Sequence, residues 1–452
     1  MELQDKREER RKRRKKNQIV AYTTLILGLV AVITTVFFLV YAIKNTMGNE
    51  FAINQDEEEN IEETIPEESV LSEQETEEPD SEYFMTEVAT EPESVEPAQS
   101  DEELLEELVE TCISQMTLEE KVAGLFVITP EALTGVGTAI KAGDGTKEAL
   151  EKYPVGGLIY FKKNIQSEEQ ITEMLSKTRE MSRFPIFLCV DEEGGSVARL
   201  QDALGLKKTP DMAEIGATQD ATKAYDAYAN IGSYLTKYGF DVDFAPVADV
   251  LTNESNTAIK KRSFGSDADL VSTMIAASVK GLEEKGVTAC LKHFPGQGNA
   301  DGDTHSVLAS TDRTLDDMRA VELKPFAAGI EAGAQMIMVG HFSAPEVTGD
   351  NMPATMSKVI ITDILREEMG YDGVVITDAL NMSAISDYYT SGEACIMALK
   401  SGADMLLMPE DFESAYEAVV EAVKDGTISE ERINDSLKRV YRIKYASTLD
   451  NE

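Results

Sequence analysis

The chain has 452 residues, with 42 Lys and Arg against 83 Asp and Glu, and a formal charge of −41. That balance argues against a nucleic-acid partner. Four cysteines standing singly at 112, 189, 290 and 395 offer neither a disulfide framework nor a metal spacing, and read as buried thiols. The charge is unevenly spread: residues 1–18 carry nine basic and four acidic side chains, residues 50–120 carry 27 acidic and no basic ones, and the remainder balances to about −20.

In chain order, residues 1–18 read as a basic cytoplasmic tail. Residues 19–43 are 25 residues without a charge, and a bilayer core takes about 20 apolar residues. The basic cluster Arg10–Lys16 lies directly before this run and only Lys44 follows it. The run therefore predicts a single-pass transmembrane anchor with its N-terminus in the cytoplasm and everything after it outside. The competing reading, a cleaved signal peptide, calls for a shorter apolar core and a small-residue cleavage site, and Lys44-Asn45-Thr46-Met47 is a poor one. No cysteine follows the run to carry a lipid. Residues 44–100, rich in Glu, Thr, Ser and Pro, predict a disordered acidic linker that repels itself into an extended tether.

Residues 101–452 predict one folded domain. Leu104, Leu105, Leu108, Val109, Cys112, Ile113 and Met116 mark one face of a helix. Eight short apolar runs follow, at 124–129, 155–161, 186–191, 240–250, 288–293, 336–341, 373–378 and 404–409. Helical patterns separate most of them, at 168–182, 221–238, 267–285, 315–332, 361–369, 392–401 and 412–424. Strands apolar along their whole length, alternating with helices, predict a parallel sheet and an α/β fold. Eight such units suit a (β/α)8 TIM-type barrel, with an open doubly wound sheet as the alternative.

In a barrel, chemistry belongs at the carboxyl ends of the strands. Asp191 ends the third run, Lys292 and His293 the fifth, His341 the sixth and Asp378 the seventh. All three histidines of the chain fall at or just beyond such an end, and His293 and His305 share the loop Lys292-His-Phe-Pro-Gly296 through Asp303-Thr-His305. Asp378, directly after a buried run, is either a helix cap or a catalytic carboxylate. Asp303 and His305 stand two apart, which in extended chain aims both side chains the same way, so the carboxylate can orient the imidazole. Asp191 precedes Gly194-Gly195, a place for a tight turn and close ligand approach. Arg199, Arg262 and Lys292 add donors. This set suits a neutral polyhydroxylated ligand, while each arginine alone could equally be a rim salt bridge. His341 could touch substrate or fill the barrel mouth. No nucleotide-binding glycine loop or metal spacing appears, so no cofactor is expected.

The segments Asp191-Glu-Glu-Gly-Gly-Ser-Val-Ala-Arg199, Phe244-Ala-Pro-Val-Ala-Asp249, Arg262-Ser-Phe-Gly265, Lys292-His-Phe-Pro-Gly296 with Asp303-Thr-His305, and Ile376-Thr-Asp-Ala-Leu-Asn-Met382 resemble glycoside hydrolase family 3, in particular its β-N-acetylhexosaminidase branch. The resemblance implies that Asp378 is the nucleophile of a covalent glycosyl-enzyme. It implies that His305 is the general acid and then base, oriented by Asp303, and that Asp191, Arg199, Arg262, Lys292 and His293 grip the non-reducing sugar. The outcome is retention by two displacements. The implied partner is a glycan ending in N-acetylglucosamine (GlcNAc), such as a peptidoglycan fragment. Gln297 and Asn299 depart from the family pattern, which usually has His or Asn and then Asp there, and bear on loop geometry and substrate preference. The chain has no tryptophan for a long stacking platform, which favours exo action. The alternatives are a phosphorylase using the same site, since a neutral imidazole does not repel phosphate, a β-glucosidase, whose branch usually lacks the Asp-Thr-His dyad, and a surface glycan-binding protein without activity. The sequence carries no signal for an oligomeric state.

Overall fold

A computed structural model describes residues 100–301 and 308–449. The predicted tail, membrane span and acidic linker lie outside the described residues, as do Asp303 and His305. Among the described residues no helix is long and apolar enough to cross a membrane.

Residues 126–407 supply eight parallel strands. They are β1 (Phe126–Ile128), β2 (Gly157–Tyr160), β3 (Phe187–Val190), β6 (Val242–Asp243), β7 (Thr288–Phe294), β8 (Met336–Val339), β9 (Val374–Thr377) and β10 (Leu406–Leu407). Two short strands, β4 (Glu192–Gly194) and β5 (Val197–Ala198), form a separate antiparallel hairpin just after β3. The sheet runs β10-β1-β2-β3-β6-β7-β8-β9. A parallel bridge between Ile376 and Met405, with Thr377 N–H donating to the Met405 carbonyl at 3.1 Å, brings β9 back beside β10. The result is a nearly closed eight-stranded α/β barrel.

Each predicted apolar run coincides with one of these strands, β7 running one residue past its predicted end to Phe294. Every residue of β2, β3, β7, β8 and β9 is buried, because one face packs inside the barrel and the other under helices. Side chains alternate accordingly. Val127, Ile159, Cys189, Phe244, Cys290, Met338, Ile376 and Met405 fill the interior cluster, while Leu158, Leu188, Leu291, Ile337 and Val375 join the larger cluster shared with the helices. All four cysteines are buried and free, as expected.

The helices start where local chemistry permits. Ser100 and Glu103 exchange backbone bonds in a capping box at the head of Asp101–Ser114, and Thr390 and Glu393 do the same for Ser391–Ser401. Two helical expectations shift. The pattern at 315–332 splits into Leu315–Ala320 and Leu323–Glu331, because the ring of Pro325 is incompatible with an unbroken helical turn reaching back to residue 321. Residues Val359–Glu368 form a wider helix in which the bonds run five residues back, as from Met369 N–H to the Ile364 carbonyl.

Candidate active site

The carboxyl ends of β2, β3, β7, β8, β9 and β10 surround a cavity of about 430 Å³. Asp191, Glu193, Arg199, Arg262, Lys292, His293 and Asp378 all line it, so every predicted site residue among those described comes to one place. Pockets of this order hold small ligands.

One side of the cavity is a dense ion network. Lys292, the fifth residue of β7, has its ammonium 2.8 Å from Asp191 Oδ1 and 2.7 Å from Glu193 Oε1. Arg262 donates through Nε and Nη2 to the two oxygens of Glu193, both at 2.7 Å. Arg199 sits with Nη2 3.6 Å from Asp191 Oδ2 and its guanidinium over the Phe161 ring. Burial alone would push the Glu193 carboxyl up, but the charges of Arg262 and Lys292 outweigh it and hold the group far below the usual carboxylate range. Burial likewise works against the Lys292 ammonium, and Asp191 and Glu193 more than compensate, raising it above an ordinary lysine. Glu193 and Lys292 are therefore both ionised, and the directions of their bonds are fixed before any ligand arrives.

The chain reaches this arrangement through glycines. Gly194 and Gly195 have φ of 87° and 55°, and a Cβ on Gly195 would collide with Asp211. On the far loop a Cβ on Gly298 would collide with the Val250 carbonyl. The tight turn expected after Asp191 is present for that steric reason.

His293 is held on both nitrogens. Arg262 Nη2 lies 3.3 Å from Nε2, and Asp249 Oδ2 lies 2.7 Å from Nδ1. A guanidinium only donates, so Nε2 accepts and Nδ1 carries the proton to Asp249. Asp249 also accepts from the backbone N–H of His293 at 3.3 Å and of Gln297 at 2.6 Å, which pins the loop after β7 to the segment after β6.

Opposite the network, Asp378 directly follows β9. Its Oδ1 accepts from Ala379 N–H at 2.7 Å, its one hydrogen bond to the carboxylate among the described residues. Burial raises this carboxyl, but the charge of His341 when protonated, the Ala379 amide and Lys292 outweigh it, so Asp378 is held below the ordinary aspartate value and stays ionised. It caps no helix: the helix that follows, Ser383–Ser386, has Met382 before its first residue. His341 does not line the cavity, and binds Thr355 and the Ala379 carbonyl instead. The site thus presents an ionised carboxylate facing an array of donors and acceptors across a cavity of about 430 Å³. Three participants were not singled out from sequence: Glu193, Asp249 and Phe161. Glu193 and Asp249 stood inside quoted motifs, and burial of an acid beside an apolar run was the only available signal.

Comparison with known proteins agrees with this geometry. Residues 117–443 match the family model described as the glycosyl hydrolase family 3 N-terminal domain. Beta-hexosaminidase A of Pseudoalteromonas piscicida is 36% identical over 327 residues, covering 66% of this chain and 54% of that protein. The beta-hexosaminidase of Stenotrophomonas maltophilia (strain R551-3) is 36% identical over 296 residues, covering 64% of this chain and 86% of that protein. A solved family 3 β-N-acetylglucosaminidase from Paenibacillus sp. str. FPU-7 superposes with a TM-score of 0.70 at 35% identity, covering 74% of this chain and 63% of that one. The chain thus spans about half the length of the first of these relatives.

Proposed function

The chain belongs to glycosyl hydrolase family 3, and from that premise we propose that it is a retaining, exo-acting β-N-acetylglucosaminidase that removes terminal GlcNAc from glycans. The observation that carries the reading is Asp378, ionised and facing the Asp191–Lys292–Glu193–Arg262 network across one cavity. Relatives named as hexosaminidases and a solved β-N-acetylglucosaminidase support the choice of sugar.

The steps follow from the groups. Sugar hydroxyls exchange hydrogen bonds with Asp191, Lys292, Arg199 and Arg262, while Glu193 keeps Lys292 and Arg262 aimed. His293, with both ring nitrogens engaged, serves mainly to fix Arg262 and one wall. The anomeric carbon then faces Asp378. A carboxylate oxygen attacks it, the bond to the leaving oxygen breaks, and that oxygen takes a proton. We assign the proton to His305, oriented by Asp303, on the sequence motif. Water attacks the glycosyl-enzyme from the vacated side, gives its proton to the same imidazole, and releases Asp378 with net retention. The absence of tryptophan, and so of a long stacking platform, favours release of one terminal sugar at a time.

We further infer from the apolar run at 19–43 and the basic cluster before it that the domain is tethered outside the cytoplasm, where peptidoglycan fragments are the suitable substrates. Protease shaving of intact cells checks this: cleavage of the domain supports it, and full protection counts against it.

The direct test of the chemistry uses an aryl β-N-acetylglucosaminide with the full chain. Wild type releases the aryl alcohol. Asp378→Asn, which keeps shape and removes the nucleophile, loses about 10⁴-fold in kcat or more. An inactive wild type, or an undiminished Asn variant, ends the reading.

A further inference from the structure

We propose that His341 is a positioning residue for Asp378, acting through the backbone of Ala379 and seated by Thr355; this rests on the reading of Asp378 as nucleophile. His341 stands one residue past β8, its ring completely buried beneath the cavity floor. Its Nε2 lies 2.9 Å from the Ala379 carbonyl and its Nδ1 lies 3.0 Å from Thr355 Oγ1. A carbonyl only accepts, so Nε2 carries a proton; Nδ1 accepts from the Thr355 hydroxyl in the neutral ring and donates to that oxygen in the protonated one. Thr355 is itself fully buried, so this hydroxyl has no bulk water as an alternative partner.

Ala379 is the link. Its carbonyl receives His341, and its N–H donates to Asp378 Oδ1 at 2.7 Å. Rotation of this residue would swing the N–H away from the carboxylate. The rest of the turn is tied by Asp378 N–H to the Val339 carbonyl at 2.9 Å, Leu380 N–H to the Leu407 carbonyl at 2.9 Å, Met382 N–H back to the Ala379 carbonyl at 3.0 Å, and Ser386 Oγ to the Asn381 carbonyl at 3.2 Å. Those bonds fix the ends of the turn to β8 and β10. The Ala379 carbonyl between them accepts from Met382 N–H and from His341 together, and His341 is the side chain that helps to set its orientation. With Oδ1 committed to Ala379, the other oxygen is the one presented for attack, and a displacement of about 1 Å at such a group can cost about 100-fold in rate.

The ring also acts electrostatically. Among the described residues, the charged and titratable groups acting on Asp378 include His341 from beyond β8 and Lys292, His293 and Cys290 from β7. After burial, which opposes ionisation, the charge that His341 carries when protonated heads the influences that hold the Asp378 carboxyl low. The nucleophile works only when ionised, so activity falls as pH drops through its pKa. Without the ring that pKa rises, and the acid limb of kcat/KM moves to higher pH.

The test measures kcat, KM and the pH profile per mole of folded enzyme on the aryl β-N-acetylglucosaminide. His341→Leu is expected to lower kcat about 100-fold with KM little changed, and to move the acid limb upward. His341→Gln restores a donor to the Ala379 carbonyl and recovers part of kcat but not the limb. Thr355→Val lowers kcat by about tenfold, and Thr355→Ser, which keeps the hydroxyl, recovers it. A folded His341→Leu with wild-type kcat and acid limb overturns the proposal. So does a Thr355→Val indistinguishable from wild type, which decides the matter if the histidine variants do not fold. Asp378→Asn separates the two levels: full activity there removes the nucleophile and this proposal together, whereas its inactivity beside unaffected His341 and Thr355 variants overturns this proposal alone.

Discussion

Two lysines are buried at opposite ends of the same barrel, Lys292 at 3% exposure and Lys444 at 8%. Lys292 sits at the carboxyl end of β7 between Asp191 and Glu193. Lys444, on the C-terminal helix Glu430–Leu449, lines a second cavity of about 500 Å³ with Phe187, Asp241 and Thr288, which stand at the amino ends of β3, β6 and β7. Its ammonium packs 4.7 Å from the Phe187 ring and 4.8 Å from the Tyr441 ring. With burial nearly equal, neighbours decide the outcome. Two close carboxylates hold Lys292 above its ordinary pKa. At Lys444 burial dominates over the weaker pull of Cys189, Cys112 and Asp241, and the pKa drops to about 7. The functional end of the barrel has its charge compensated in detail, and the opposite end carries a buried amine at a cost in stability.

The sharpest way to break this comparison is to remove Lys292. Lys292→Met keeps the volume but leaves Asp191 and Glu193 buried with less compensation. The expected loss in kcat/KM is roughly 100-fold or more, the worth of charged hydrogen bonds to sugar hydroxyls, and unfolding free energy falls by about 3 kcal/mol. Kinetics on the aryl glycoside and urea denaturation read the two losses. A stable, fully active variant would mean that the network is ornamental.

Lys444→Met should do the reverse. A lysine with folded pKa near 7 and unfolded pKa near 10.5 binds fewer protons folded than unfolded between those values. Wild-type stability therefore rises with pH through that window, and below pH 7 the full penalty applies. Replacing the amine should stabilise the protein by up to about 5 kcal/mol at pH 6, at about 1.4 kcal/mol per unit between 7 and 10.5, with the advantage shrinking toward pH 10.5 and kcat unchanged. A variant less stable at pH 6 would show that the aromatic contacts outweigh desolvation.

The same contrast explains what could be read in advance. The barrel was legible because its strands are buried on both faces and so appear as unbroken apolar runs, several of them ending in a residue that faces the site, as at Asp191, Lys292 and Asp378. The partnering of those residues was not. Glu192 and Glu193 are adjacent and identical in kind, yet Glu192 accepts from the N–H groups of Leu200 and Gln201 at the head of Arg199–Leu204, while Glu193 faces Arg262 across 69 residues. Only the alternation of the chain separates them, and no local pattern records a partner so distant. His293 and Asp249, 44 residues apart, are the same case. The C-terminal helix carrying Lys444 was not anticipated at all, since its segment is strongly polar and its few inward residues make a thin apolar stripe.

The smallest effect concerns another group at the amino end. Glu283 closes the helix Ala268–Glu283 and accepts from Ala289 N–H at 3.0 Å and Gln335 Nε2 at 2.9 Å. Burial outweighs these two bonds and lifts its carboxyl to about 7. Between about pH 4.5 and pH 7 the folded chain keeps this proton while the unfolded chain gives it up, so the unfolded state binds fewer protons and stability falls as pH rises. The contribution is intact below that window and lost above it, by up to about 1.4 kcal/mol per pH unit. Glu283→Gln cannot ionise, and its amide oxygen can still accept from Ala289. Comparing denaturation midpoints of variant and wild type at pH 5 and pH 7.5 cancels the other titrating groups. The variant's relative stability should increase from the first pH to the second, and a constant difference would show that this carboxyl ionises as readily in the fold as in the open chain.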